Sequence, residues 1–201
     1  WVYDLDLTSM YPSTIMTLNI SPETKLGKLE GWDSKQYIKG AQQTYIFEKN
    51  HRMKQKMPDS FTTDDLSTLF SKNPISVSSN GVIFKNDKKG LIPSILERWF
   101  DERVEFKNLM KKHGNENNTS EYEYFKKRQL VQKILLNSMY GVLGSPVFRF
   151  YDPDNAEAVT LTGQELIKFT QKMGNYYYNK ELNDTANYII YTDTDSVFVS
   201  S

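Results

Sequence analysis

Tyr188-Ile189-Ile190-Tyr191-Thr192-Asp193-Thr194-Asp195-Ser196-Val197-Phe198-Val199 sets two β-rich apolar runs around four short polar residues. That pattern predicts a hairpin with two carboxylates at its tip. Carboxylates two positions apart point to the same side of an extended strand. Held that close, they repel each other unless a cation lies between them. A hard divalent ion such as Mg²⁺ suits an all-oxygen site of this kind. Asp and Thr are also ordinary turn residues, so the rest of the chain has to decide.

The chain has 201 residues, of which 38% are hydrophobic, including 13 Tyr and 11 Phe. It can therefore build a core and is not disordered by composition. Net charge is zero, which argues against a purely electrostatic DNA binder but leaves room for local basic patches. With no cysteine there is no disulfide or thiolate metal site. No apolar run approaches the ~20 residues of a membrane span, and no stretch of these residues reads as a signal peptide. The chain starts in a strand-like pattern at Trp1 without Met and stops just after another strand, and so reads as a piece of a longer protein.

Working outward from the hairpin, residues 1–7 read as a strand, and Ser9 to Leu18 as a turn and short helix with Pro12 near its start. Residues 19–74 are weakly patterned and lysine-rich, with Lys49, Arg52, Lys54 and Lys56 around His51. Ile75 to Phe84 alternate around Asn80-Gly81, a strong hairpin signal. A helix is expected over 91–113 and a turn over 114–118. A second helix then runs to about Tyr140, capped by Ser120 with Glu123 completing a capping box. A third covers roughly 155–182. Two long helices with a short link should pack antiparallel. Strands at both ends with a helical pair between them give an α+β fold.

Wheels at ~100° per residue locate unusual cations. Leu96, Trp99, Phe100, Val104, Phe106 and Met110 form an apolar face, with Arg103 and Lys107 in its middle. Cations there need an anion, either a local carboxylate or a phosphate. On the next helix Lys126, Gln129, Lys133, Asn137 and Tyr140 share an acid-free stripe, opposite Val131, Ile134, Leu135 and Met139. That stripe belongs on an open surface. It ends at Gly141, where a missing side chain allows close approach to the backbone. Arg103, Lys107 and Lys133 could converge on a triphosphate. At the other end of the chain, Asp6 closes a strand and precedes a turn whose N–H groups could face an anion. Asp4 shares its strand face, so pattern alone does not separate the two acids.

Three blocks, in order, resemble those of the family B (α-like) DNA polymerases. They are Asp6-Leu7-Thr8-Ser9-Met10-Tyr11-Pro12-Ser13, Lys133-Ile134-Leu135-Leu136-Asn137-Ser138-Met139-Tyr140-Gly141 and Tyr191-Thr192-Asp193-Thr194-Asp195-Ser196. Asn19-Ile20-Ser21-Pro22-Glu23-Thr24 and Phe148-Arg149-Phe150-Tyr151-Asp152 are most similar to T-even-type tailed-phage members. The resemblance implies a right-hand polymerase palm, an antiparallel sheet with helices on one face, carrying an inserted helical-pair fingers subdomain. The palm would occupy 1–90, with a variable insertion at about 19–74, and 145–201; the fingers would occupy 91–144. Exonuclease, amino-terminal and thumb domains would lie outside the chain.

The resemblance further implies template-directed addition of deoxynucleotides to a primer 3′-hydroxyl, with two Mg²⁺ ions, or Mn²⁺ as substitute. Asp6 and Asp195 would bind both ions, with Asp193 in support and the Leu7 carbonyl as a further ligand. Ser9, Met10 and Tyr11 would hold the triphosphate, and Tyr11 would exclude a 2′-hydroxyl. Arg103, Lys107, Lys133 and Asn137 would grip the triphosphate, and Tyr140 and Gly141 would line the nascent base pair. Partners would be primer-template DNA, deoxynucleoside triphosphates and, through regions outside this chain, a sliding clamp and replisome proteins. The expected setting is cytoplasmic, that of the host if the source is viral. Two departures stand out: Thr192 replaces the commonest Gly, and the link between the finger helices is short. Competing readings are a reverse-transcriptase-type polymerase, a Ca²⁺-binding module hinted at by Asp152-Pro153-Asp154-Asn155 and by the Asp193/Asp195 pair but lacking the Gly and distal Glu of an EF-hand loop, and a nucleic-acid binder without catalysis. The first should have adjacent acids at the hairpin, and here Asp193 and Asp195 are separated.

Overall fold

The structure, a computed structural model, describes residues 1–51 and 57–200. Arg52, Lys54 and Lys56 of the expected basic cluster lie outside them; Lys49 pairs with Asp59 at 2.6 Å. The elements run β1 (Val2–Asp6), α1 (Met10–Leu18), β2 (Lys25–Glu30), α2 (Ser34–Ile38), β3 (Thr44–Lys49), β4 (Ser60–Thr62) and α3 (Thr63–Lys72). There follow β5 (Ile75–Val77), β6 (Val82–Lys85), α4 (Leu91–Asn115), α5 (Thr119–Leu143), α6 (Pro153–Leu182), β7 (Ile189–Asp193) and β8 (Ser196–Ser200).

The two ends of the chain make one antiparallel sheet, β1-β8-β7. Its inner side, with Ile189, Val197 and Val199, packs with Met10 and Ile167 of α6. Because side chains alternate, Asp4, Asp6, Ser196 and Phe198 take the opposite, open side. Register separates the two acids of β1: Asp6 faces Ser196 beside the hairpin turn, while Asp4 faces Phe198 further back.

The second sheet, β4-β3-β2-β6-β5, overturns the expectation of a weakly patterned stretch over 19–74. That stretch carries β2, α2, β3, β4 and α3. Its aromatic core, Trp32, Tyr37, Tyr45, Phe47, Phe61 and Phe70, comes from elements too short to show a period. A capping box starts α3: Thr62 Oγ1 accepts from Asp65 N, and Asp65 Oδ2 accepts from Thr62 N at 2.9 Å. The Asn80-Gly81 turn is as expected, with Gly81 at φ +84 and its ideal Cβ position only 2.6 Å from the Leu29 carbonyl oxygen.

Lysines of β2 fasten this sheet to the start of α6. Lys25 bridges Asp152 at 2.9 Å and Asp154 at 2.8 Å, and Lys28 reaches Asp154 at 2.8 Å. Burial pushes the Asp154 carboxyl up, but Lys25 and Lys28 win and hold it below the ordinary carboxylate range. Lysines thus satisfy Asp152 and Asp154, two of the acids that hinted at a Ca²⁺ module. Lys25→Met is expected to cost about 1–2 kcal/mol, because it takes the lysine partner from the half-buried Asp152 and leaves Asp154 to Lys28 alone. Urea denaturation measures this. The loss should shrink as pH falls through the lowered Asp154 value, since the bridges operate only above it.

The long helices pack antiparallel, Phe106 and His113 meeting Phe125 and Glu102 bonding Gln132. The cap of α5 is Asn118, accepting from Glu121 N at 3.3 Å, and not Ser120. At the base of α4, Asn19 donates to the Lys85 and Lys88 carbonyls and accepts from Gly90 N, while Glu23 accepts from Leu91 N. The wheel faces need correction. Val104, Val131, Ile134 and Leu135 are exposed. On α5 the buried line is Gln132, Leu136 and Leu143, one residue round from the apolar count. Gln132 can be buried because Glu102 satisfies its amide nitrogen, so a polar residue disguised the core side.

Candidate active site

The hairpin tip is tied to the start of the chain by its backbone: Leu7 N donates to the Asp195 carbonyl at 2.7 Å. Asp6 and Asp193 both stand opposite Ser196 in the ladders. The carboxylates feel one another. Burial, then Asp6, Asp193 and Asp4, push the Asp195 carboxyl above its ordinary value. Thr192 fits as an ordinary strand residue opposite Val197, and the left-handed backbone falls two residues on at Thr194, with φ 47. A β-branched residue in the left-handed region is strained, typically by about 1–3 kcal/mol.

Ser9 carries the second such strain, with φ 49. As N-cap of α1 it makes no side-chain capping bond. Its hydroxyl instead accepts from Arg103 Nη1 at 3.1 Å. Two consequences follow. The first-turn N–H groups of Met10 and Tyr11 lack intrahelical partners and stand at the positive end of the helix. And α4 is drawn onto the strand–helix turn. The Arg103 Nε is buried with no partner in the structure.

Tyr11 links the remaining pieces. Its ring lies against Tyr140 of α5, centroids 4.5 Å apart and 31° between planes. Burial, then Tyr140 and Asp195, raise its hydroxyl above the ordinary tyrosine value. Met10 is buried beneath against α6, where the ideal Cβ position of Gly163 lies 2.9 Å from Met10 Cε. That close approach, invisible to periodicity, seats the floor of the site.

Asp6, Leu7, Ser9, Met10, Tyr11, Arg103, Tyr140, Asp193 and Asp195 are thereby brought into one neighbourhood. Lys107, Lys133, Asn137 and Gly141 lie exposed on α4 and α5, with no bond to the acids among the described residues. Lys107 is one turn beyond Arg103; Asn137 and Lys133 are one and two turns before Tyr140. An ideal Cβ at Gly141 would meet nothing within 4 Å, so its backbone is open to approach.

The donor set is carboxylates and backbone carbonyls, which suits a hard divalent cation. Among the described residues no group of three His, Cys, Asp or Glu side chains is arranged to hold an ion. A divalent ion held by one or two carboxylates together with a bound ligand's oxygens would not need such a group. Asp6 and Asp195, mutually repelling, are the pair that would gain from it. No helix among the described residues is long and apolar enough to cross a membrane.

This mixed α/β arrangement is that of a known polymerase class. The family B DNA polymerase of the archaeon Pyrobaculum calidifontis matches with a TM-score of 0.60 and 25% identity, over 100% of this chain and 20% of its own. DNA polymerase family B matches residues 1–201, and the chain belongs to that family. It is 29% identical to the DNA-directed DNA polymerase of Escherichia phage RB69 and 30% to that of Enterobacteria phage T4, over 100% and 99% of its length. The DNA polymerase of Choristoneura biennis entomopoxvirus is 30% identical over 97% of it. The chain spans about a quarter of the length of both phage relatives.

Proposed function

We propose that the chain is the palm and fingers of a DNA polymerase that adds deoxynucleotides to a primer 3′-hydroxyl on a DNA template. The palm would be residues 1–90 and 145–201, and the fingers 91–144. The observation that carries the reading is the Leu7–Asp195 backbone bond. It sets acids from both chain ends beside the uncapped start of α1, where Arg103 already touches Ser9. A site with carboxylates on one side and anion donors on the other suits phosphoryl transfer to a hydroxyl.

Asp6 and Asp195, with Asp193 and the Leu7 carbonyl in support, would hold two Mg²⁺ ions. These ions supply Lewis acidity at the attacking hydroxyl and at the leaving pyrophosphate. The N–H groups of Met10 and Tyr11, with Ser9 and Arg103, bind the triphosphate and orient it. Lys107, Lys133 and Asn137 close on it when the fingers bend inward. Tyr140 and Gly141 bound the new base pair. A clamp and replisome proteins would engage other regions.

Mg²⁺-dependent extension of a primed DNA template by the intact polymerase tests this. Deoxynucleotide incorporation with pyrophosphate release supports it. Metal binding or DNA binding without incorporation would put a non-catalytic module in its place. Equal use of an RNA template would favour the reverse-transcriptase type.

A further inference from the structure

Helix α5 has a third face that neither its core contacts nor its phosphate stripe explains. Tyr124, Lys127, Arg128, Val131 and Leu135 fall on it at helical spacing. Tyr124 is 52% exposed, Val131 53% and Leu135 37%. Lys127 and Arg128 are exposed and have no carboxylate partner among the described residues. Arg128 instead lies over the Phe106 and Tyr124 rings, 5.0 and 5.9 Å from their centroids. From Tyr124 to Leu143 the helix holds no acidic residue.

We infer that this face is a track for unpaired template DNA ahead of the nascent base pair. The inference rests on the polymerase reading above. Exposed apolar and aromatic side chains flanked by cations without a carboxylate partner complement a single strand: bases pack on the former and phosphates meet the latter, without sequence preference. An acidic protein surface would match the cations but not the apolar row. A duplex would keep its bases stacked inside and leave that row without a partner. The face lies on the same helix as Lys133 and Tyr140, rotated away from them. A template strand leaving the proposed base-pair pocket past Gly141 and turning round α5 would reach it without crossing the triphosphate.

The test uses the intact polymerase and fluorescence anisotropy on two primed templates with the same duplex. One carries a single unpaired template nucleotide, the other about ten. The wild type should bind the long overhang more tightly. Lys127→Glu and Val131→Asp should each weaken long-overhang binding by at least about fivefold, leaving short-overhang binding unchanged. Both alter exposed positions, and circular dichroism confirms their helix content. Equal weakening on both templates, or no weakening on either, would overturn the track. Asp195→Asn separates the two readings: it should lose extension but keep the overhang preference. Normal extension by Asp195→Asn would strike at the catalytic assignment and leave the track to the binding data.

Discussion

Asp195→Asn and Asp6→Asn should each cut primer extension by at least about 10³-fold, with primer-template binding unchanged. The amide keeps the shape and the turn, because the tie to the chain start runs through the Asp195 backbone carbonyl and not its side chain. What it removes is charge, the property by which the site would hold divalent ions. A second readout needs no activity. Asp195 is held above its ordinary value by burial and by Asp6, Asp193 and Asp4. A raised carboxylate contributes stability that is full below its unfolded value and is lost as pH rises through the folded one. At neutral pH the ionised cluster therefore opposes folding. Asp195→Asn should raise the melting temperature of the metal-free protein, by about 1–2 °C. Mg²⁺ should raise that of the wild type but raise the variant's less. Near-normal extension by either variant would sink the site, whatever the melting curves do.

The two halves of this site differed in how legible they were. Asp193 and Asp195 lie in a strand–turn–strand pattern that alternation reveals. Asp6 was identifiable by block resemblance, but its separation from Asp4 needed the ladder register with β8. Arg103 stood out as a cation among apolar residues, and its partner proved to be a hydroxyl 94 positions away. Two things were hidden for physical reasons. Ser9 and Thr194 take left-handed backbone, and neither is a residue type that signals it. The five-stranded sheet was hidden because its strands are three to six residues long and hold one another through pairing, not through local propensity. On α5 Gln132 takes a core position, its amide nitrogen bonded to Glu102 and its Oε1 buried without a partner, and a polar residue there made Val131 and Leu135 look like core. Those residues now carry the template-track proposal, so the error and the inference share one cause.

Tyr11→Ala should admit ribonucleotides, lowering the preference for deoxynucleotides by about 10²-fold or more, while extension with deoxynucleotides persists. The geometry supports a steric gate. Tyr11 follows Asp6 by five residues and packs its ring on Tyr140. It lies close enough to Asp195 for that carboxylate to raise its hydroxyl's pKa. A ring packed on Tyr140 would have little freedom to yield to an extra hydroxyl. On this proposal packing would make it a gate, and its own hydroxyl would not be required. Tyr11→Phe should therefore keep discrimination within about twofold of the wild type, since it leaves the ring and its Tyr140 contact in place. Single-nucleotide incorporation assays, comparing kcat/KM for matched ribo- and deoxynucleotides, separate the two variants. If Tyr11→Phe relaxed selection as far as Tyr11→Ala, hydrogen bonding would be the discriminating force. If neither variant changed sugar selection, Tyr11 would serve only to brace Tyr140, and the gate would have to be sought elsewhere on the fingers.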